Sequence, residues 1–253
     1  MPLQRTVQVN NGCDIWAVIP AAGIGKRMQS DKPKQYLRLI DRAVIEHTID
    51  RLLAVEQVKG LVVSIQPDDP YWPGIRIESD KPVLVAAGGK ERCNSVMSAL
   101  EVLSKQPAYK PQTTWALVHD AVRPCVSLDD IRNLIETVAG TESGGLLAVP
   151  VRDTMKRQDN DQRVKQTVDR TGLWHALTPQ LFACNQLSRA LETALAEGFL
   201  VTDESSAMEH AGHRPRLVQG REDNIKITRP ADLRLAELYL KSLSEKPGAE
   251  ECI

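Results

Sequence analysis

The sequence predicts an α/β protein built on one mostly parallel sheet, with helices on both faces and a β-arm projecting from it. Three observations predict this. Short apolar runs alternate with helical patterns from residue 14 to residue 149. A glycine-containing turn follows the first apolar run directly. The alternation then stops at two polar β-type segments that cannot bury a face of their own.

The elements follow in order. Asp14-Ile-Trp-Ala-Val-Ile19 reads as a buried strand. Ile45, Ile49, Leu52 and Leu53 share one helical face, and Leu61-Val-Val-Ser-Ile65 is the second strand. Pro82-Val-Leu-Val-Ala86 is the third, followed by a helix carrying Val96, Ala99, Leu100 and Leu103 on one side. Trp115-Ala-Leu-Val118 is the fourth strand. Leu128, Ile131, Leu134, Ile135 and Val138 mark the next helix, and Leu146-Leu-Ala-Val149 the next strand. Residues 151–177 hold the arm: Val151 to Met155 and Arg163 to Val168 flank the turn Asp159-Asn-Asp161. A helix over Gln186–Glu197 stops at Gly198, and a shorter one over Asp203–Ala211 stops at Gly212. Pro215–Val218 and Asn224–Ile227 read as short strands. Pro230 opens a last helix through Ala236 and Leu240, and residues 245–253 read as a mobile polar tail. The whole is a single Rossmann-like domain over residues 1–253, with no internal repeat.

Composition excludes several classes. The 253 residues carry 32 Lys and Arg against 33 Asp and Glu, a net charge of −1, which argues against a generic nucleic-acid or membrane-surface binder. With 42% hydrophobic and 26% charged residues, the chain is that of an ordinary globular protein with a sizeable core. No apolar run nears the ~18 residues of a spanning helix. The first eleven residues lack an apolar stretch, so no secretory leader is expected. Five scattered cysteines without a CxxC pair fit reduced thiols and a cytoplasmic setting.

The turn after the first strand is Pro20-Ala-Ala-Gly23-Ile-Gly25-Lys26-Arg27-Met28. Its small residues let backbone N–H groups approach a phosphate. A P-loop would need Gly at 20 and Ser or Thr at 27; a dinucleotide fingerprint would need Gly at 28. Neither fits. A lone glycine pair would read as a tight turn with solvated lysines. Arg27 and the following Pro33-Lys34-Gln35 tip the reading towards a triphosphate site.

Ala21-Ala22-Gly23-x-Gly25-x-Arg27-Met28 with Pro33-Lys34-Gln35 resembles the sugar-phosphate nucleotidyltransferases. Within them the chain is most similar to the 2-C-methyl-D-erythritol 4-phosphate cytidylyltransferases of the non-mevalonate isoprenoid pathway. The resemblance runs from about Ile15 to Leu240. It rests on Gly88-Gly89-x-x-Arg92-x-x-Ser95-Val96, His119-Asp120-Ala121-x-Arg123-Pro124 and Pro150-Val-Arg-Asp153-Thr154-x-Lys156, then Thr167-Val-Asp-Arg170, Leu177-Thr178-Pro179-Gln180, Thr202-Asp203-Glu204 and Asp223-Asn224-Ile225-Lys226. Lys90 departs from it, standing where an acidic or small residue is more usual.

The resemblance implies that CTP and a sugar-alcohol phosphate react, releasing pyrophosphate. The attacking phosphate is already an anion, so the chemistry asks for positioned cations and a metal, not for a protein nucleophile. It implies Arg27 and Lys34 as transition-state stabilisers. The backbone of Ala21, Ala22, Gly23 and Gly25 would cradle the triphosphate or base. Gly88, Gly89 and Ser95 would meet cytosine or ribose, though Gly88-Gly89 also reads as a plain strand-to-helix turn. Asp120, at the carboxyl end of a strand, would hold Mg2+, with Asp223 as a possible second carboxylate. Ala121, Arg123, Thr154, Arg170 and Lys226 would bind substrate, Arg123 at the sugar phosphate or diol. The arm would embrace a second subunit, so that Thr154 and Arg170 serve the neighbour's site in a homodimer.

His119 reads as structural. Glu209-His210-Ala-Gly-His213 is rejected as a metal site, because Gly212 ends that helix. Two rivals remain: a cytidylyltransferase for another polyol phosphate, such as ribitol 5-phosphate, and a non-catalytic nucleotide-binding module of the same fold. The arm motifs speak against the first. Arg27, Lys34, Asp120 and Lys226 together speak against the second.

Overall fold

The computed structural model describes residues 12–23, 28 and 30–244. Gly25 and Arg27, together with the polar tail and the first eleven residues, lie outside the described residues. The chain runs β1 (Asp14–Pro20), β2 (Arg38–Leu39), β3 (Arg42–Ala43), α1 (Val44–Leu53), β4 (Val58–Ile65), β5 (Val83–Ala87), α2 (Arg92–Ser104), β6 (Thr114–Val118), α3 (Leu128–Val138) and β7 (Gly145–Pro150). It continues through β8 (Met155–Gln158), β9 (Val164–Val168), β10 (Trp174–Ala183), α4 (Cys184–Ala196), α5 (Glu204–His210), β11 (Arg216–Gln219) and α6 (Pro230–Ser244).

Seven strands form the central sheet in the order β11-β7-β10-β6-β1-β4-β5. All neighbours pair in parallel except β10, which is antiparallel to both β6 and β7. The chain leaves β1 for β4 and β5 on one side, then returns with β6 on the other. The carboxyl ends of β1 and β6 therefore flank a topological switch point, where open α/β sheets bind ligands.

The alternation along β1 shows why this segment is a central strand. Ile15, Ala17 and Ile19 point to the face covered by α1 and α3, whose Ile45, Ile49, Leu52, Ile131, Leu134 and Val138 are fully buried there. Trp16 and Val18 point to the opposite face, under α2 and α4. Each such Leu or Ile contributes about 1.5–3 kcal/mol by leaving water. A third apolar cluster seats α6, through Ala236 and Leu240, on Val122, Cys125 and Ile227. That packing folds the C-terminal part of the chain over the loop after β6.

Two expected elements differ. Asn224–Ile227 forms no strand; it is an extended segment held by the Ile227 N–H to the Val122 carbonyl at 2.9 Å. β10 was not foreseen, because its sequence contains Pro179 and alternates poorly. It is nonetheless a long antiparallel strand wedged between two parallel partners, interrupted in its pairing between Ala176 and Gln180. The arm is a separate antiparallel pair, β8 with β9, starting at Met155 and not at Val151. Its residues are almost all exposed. Asp159 closes its turn by accepting the N–H groups of Asp161 and Arg163 at 2.9 Å each. Gly198 and Gly212 both adopt positive φ after α4 and α5, as helix stops of this kind require. No helix among the described residues is long and apolar enough to cross a membrane.

Candidate active site

A cleft opens at the switch point. Its wall on the β1 side is Pro20, Ala21, Ala22 and Gly23. These carbonyls are pinned from outside. The buried Gln35 donates its amide to Ala21 O at 2.6 Å and Gly23 O at 3.2 Å, and Gln66 donates to Ala22 O at 2.5 Å. Glutamine suits this task because one NH2 offers two donors. Gln35 sits in a 3-10 turn, Lys34–Tyr36, that starts after Pro33 and brings Lys34 to the same cleft. The Lys34 ammonium donates to the Ile227 carbonyl at 3.3 Å. Tyr36 anchors that turn through its hydroxyl to Asp69 at 2.8 Å.

The opposite wall is the turn from β5 into α2. A Cβ on Gly88 would collide with the Ala22 side chain and the Ile65 carbonyl, so this turn can close on the glycine loop only without a side chain. Gly88 thus packs, and Gly89, Lys90 and Glu91 line the cleft. The buried Ser95 also lines it and accepts the Gly89 N–H at 3.1 Å.

The floor carries the charges. Asp120, just past β6, receives Arg92 Nε on Oδ1 at 3.2 Å, and Arg123 Nε at 3.2 Å and Lys226 Nζ at 2.9 Å on Oδ2. Burial would raise the Asp120 pKa, but Arg92, Lys226 and Arg123 together outweigh it and hold the carboxyl well below the usual range. Arg92 also bonds the fully buried Glu204 at 2.5 Å. Three cations against two carboxylates leave this cluster net positive, which favours phosphate ligands.

Beneath it lies His119, fully buried and pushed down to about 4 by desolvation. Its Nε2 faces the Arg123 carbonyl at 3.0 Å, which fixes the proton there. Nδ1 then accepts the Thr178 hydroxyl at 3.0 Å, and that hydroxyl accepts the Asp120 N–H at 3.1 Å. His119 is thus a neutral strut that orients Asp120, as its structural reading expects. His210 pairs with Glu197 at 2.6 Å and stacks on Phe199.

The structure brings together Ala21, Ala22, Gly23, Lys34, Gly89, Ser95, Asp120, Ala121 and Lys226 in the cleft. Arg123 does not line it; its guanidinium is committed to Asp120 and, at 2.7 Å, to the Asn224 carbonyl. Thr154 and Arg170 are exposed and stand at the root of the arm, where they do not line the cleft. Asp223 pairs with Arg221 and borders a different depression with Arg152. Arg92, Gln35 and Gln66 are site residues to which sequence reasoning gave no role. Arg92 and Gln35 stood within quoted motifs, whereas Gln66 had no signal.

Among the described residues no group of three or more His, Cys, Asp and Glu could hold a metal. Glu91 and Asp120 are the carboxylates that line the cleft, and both oxygens of Asp120 are engaged by cations.

The family model for 2-C-methyl-D-erythritol 4-phosphate cytidylyltransferase matches residues 15–242. The chain belongs to that family. A 2-C-methyl-D-erythritol 4-phosphate cytidylyltransferase of Vibrio vulnificus is 53% identical over 224 residues, 88% of this chain and 93% of the relative. One from Pseudomonas putida is 53% identical over 218 residues, 86% of this chain and 92% of the relative. Among solved structures, a 4-diphosphocytidyl-2C-methyl-D-erythritol synthase superposes with a TM-score of 0.78 at 35% identity, covering 90% of this chain and 99% of that one. The Francisella tularensis cytidylyltransferase gives 0.76 at 34%, covering 89% and 99%.

Proposed function

We propose that this chain transfers CMP from CTP to 2-C-methyl-D-erythritol 4-phosphate, yielding 4-diphosphocytidyl-2-C-methyl-D-erythritol and pyrophosphate. The observation that carries this reading is family membership over residues 15–242, joined to a net-cationic cleft at the carboxyl ends of β1 and β6. The triphosphate lies along Ala21, Ala22, Gly23 and Gly25. Gly89 and Ser95 face the base or ribose, and Gly88 lets that wall approach. The acceptor phosphate attacks the α-phosphorus, the bond to the β-phosphate oxygen breaks, and pyrophosphate leaves. Arg27 and Lys34 stabilise the charge that builds on the α-phosphate and the leaving group. Mg2+, when bound with the nucleotide at Asp120, supplies further neutralisation of the phosphate charge. Lys226 orients the acceptor beside Ala121. Arg123 acts by holding Asp120 and the Asn224 backbone.

Thr154 and Arg170 complete the acceptor site from a second subunit, the arm reaching across a homodimer. The exposure of β8 and β9 and the absence of both residues from the cleft lining support this. We read the chain as one cytoplasmic domain over residues 1–253 without a nucleic-acid or membrane partner. The test is pyrophosphate release from CTP and Mg2+ with a panel of polyol phosphates.

A further inference from the structure

Glu204 is the most deeply buried carboxylate near the cleft, yet it does not line it. It begins α5, and its neighbours lock that start in place. Asp203 accepts the Ser206 N–H at 2.9 Å, Gln180 donates to Asp203 at 2.9 Å, and the Ser205 N–H donates to Gln180 at 2.8 Å. From this fixed point Glu204 Oε1 takes Arg92 Nη1 at 2.5 Å, while Arg92 Nε turns to Asp120 Oδ1 at 3.2 Å.

Stability does not explain the pair. Burying a carboxylate and a guanidinium costs about as much as their attraction returns, and apolar substitutes of the same shape usually do as well. Here the balance is worse, because Glu204 Oε2 and Arg92 Nη2 are buried without hydrogen-bond partners among the described residues. What the pair does is directional. An arginine lining a phosphate cleft can swing towards any anion. With Nη1 held by Glu204, the guanidinium presents Nε to Asp120 and its remaining charge is shared. Asp120 Oδ1 is then fixed, and Oδ2 stays available to Lys226 and Arg123.

We propose that Glu204 is a positioning residue for the transfer reaction, acting through Arg92 to fix the Asp120 carboxylate and hence the Lys226 ammonium. The inference rests on the proposed function, since it needs Lys226, held by Asp120, to serve the acceptor. Its test is a double-mutant cycle on the full-length protein, with CTP and 2-C-methyl-D-erythritol 4-phosphate varied separately. Glu204→Gln lowers kcat/KM for the polyol phosphate ~10-fold or more, with KM for CTP within about twofold. In an Asp120→Asn background the same substitution costs less than about twofold, because the carboxylate it positions is already gone. A merely structural Glu204 would give the full loss in both backgrounds, and that result overturns the relay. If Asp120→Asn alone keeps normal turnover, the proposed role of Asp120 fails and takes the relay with it. Should Glu204→Gln not fold, Glu204→Asp is read in the same cycle; it keeps the charge but withdraws it by one methylene. A wild-type kcat/KM for that folded variant also overturns the proposal.

Discussion

The Lys226 ammonium stands 2.9 Å from Oδ2 of Asp120, an oxygen it shares with Arg123. The two residues come from distant parts of the chain, one from the end of β6 and one from the extended segment before α6. The contact exists because Ile227 hydrogen-bonds Val122 and α6 packs over that loop. Replacing Lys226 by Met keeps most of the stem and removes the charge. The expected result is a rise of ~10-fold or more in KM for the polyol phosphate with CTP binding little changed. Steady-state kinetics with each substrate varied in turn checks it.

Asp120→Asn keeps the shape, turns one acceptor oxygen into an NH2 donor and loses the one charge on which three cations converge. Turnover is expected to fall by ~100-fold, and the Mg2+ titration to shift to higher concentration. An unchanged Mg2+ midpoint would move the metal away from Asp120.

Lys34→Ala and Arg27→Ala each remove a cation assigned to the transition state, so kcat should drop ~100-fold or more while CTP affinity changes much less. Calorimetric titration with CTP alongside single-turnover rates separates the two effects. Gln35→Ala should behave in the opposite way. It unpins Ala21 and Gly23, so it should weaken CTP binding first.

Much of this was legible in the sequence. The alternation of Ile15, Ala17 and Ile19 against Trp16 and Val18 announces a strand buried on both faces. Gly88 and Asp120 stand at strand ends, where such sheets bind ligands. What was hidden depends on tertiary neighbours. β10 carries Pro179 and takes its identity from β6 and β7, not from its own pattern. Gln66 and Glu204 matter only because folding brings Ala22 and Arg92 to them. Arg123, expected at the substrate, turns instead to Asp120 and the Asn224 carbonyl, a choice set by the segment 224–227 that crosses beside it.

The Cys125 thiol is buried, and desolvation, helped by Asp223 against Arg51, pushes it up to about 12 from about 9. The unfolded chain loses this proton near pH 9 and the folded chain only near 12. Stability from this group is therefore complete below about pH 9 and declines as pH rises through about 12. At pH 8, iodoacetamide should label Cys125 at least ~100-fold more slowly in the folded protein than in urea. Mass mapping of labelled peptides gives the rates, and equal rates would contradict the buried setting.

The arm supplies a test of the shared site. Arg170→Ala and Lys34→Ala damage different halves of one composite site if each arm serves the opposite subunit. Mixed and exchanged one to one, the two inactive proteins should regain at most roughly a quarter of wild-type activity, because half the dimers are mixed and each holds one intact site. Native mass spectrometry establishes the exchange. Mixed dimers without activity would put Arg170 to work within its own subunit.

The transfer reaction is itself open to measurement. The most direct measurement is pyrophosphate release, with mass-spectrometric detection of the product, from CTP, Mg2+ and either 2-C-methyl-D-erythritol 4-phosphate or ribitol 5-phosphate. Rapid release and a cytidine diphosphate ester are expected with the methylerythritol substrate, at least ~100-fold faster in kcat/KM than with ribitol 5-phosphate. Equal rates with both acceptors, or no pyrophosphate from a folded protein that binds CTP, would contradict the proposed function.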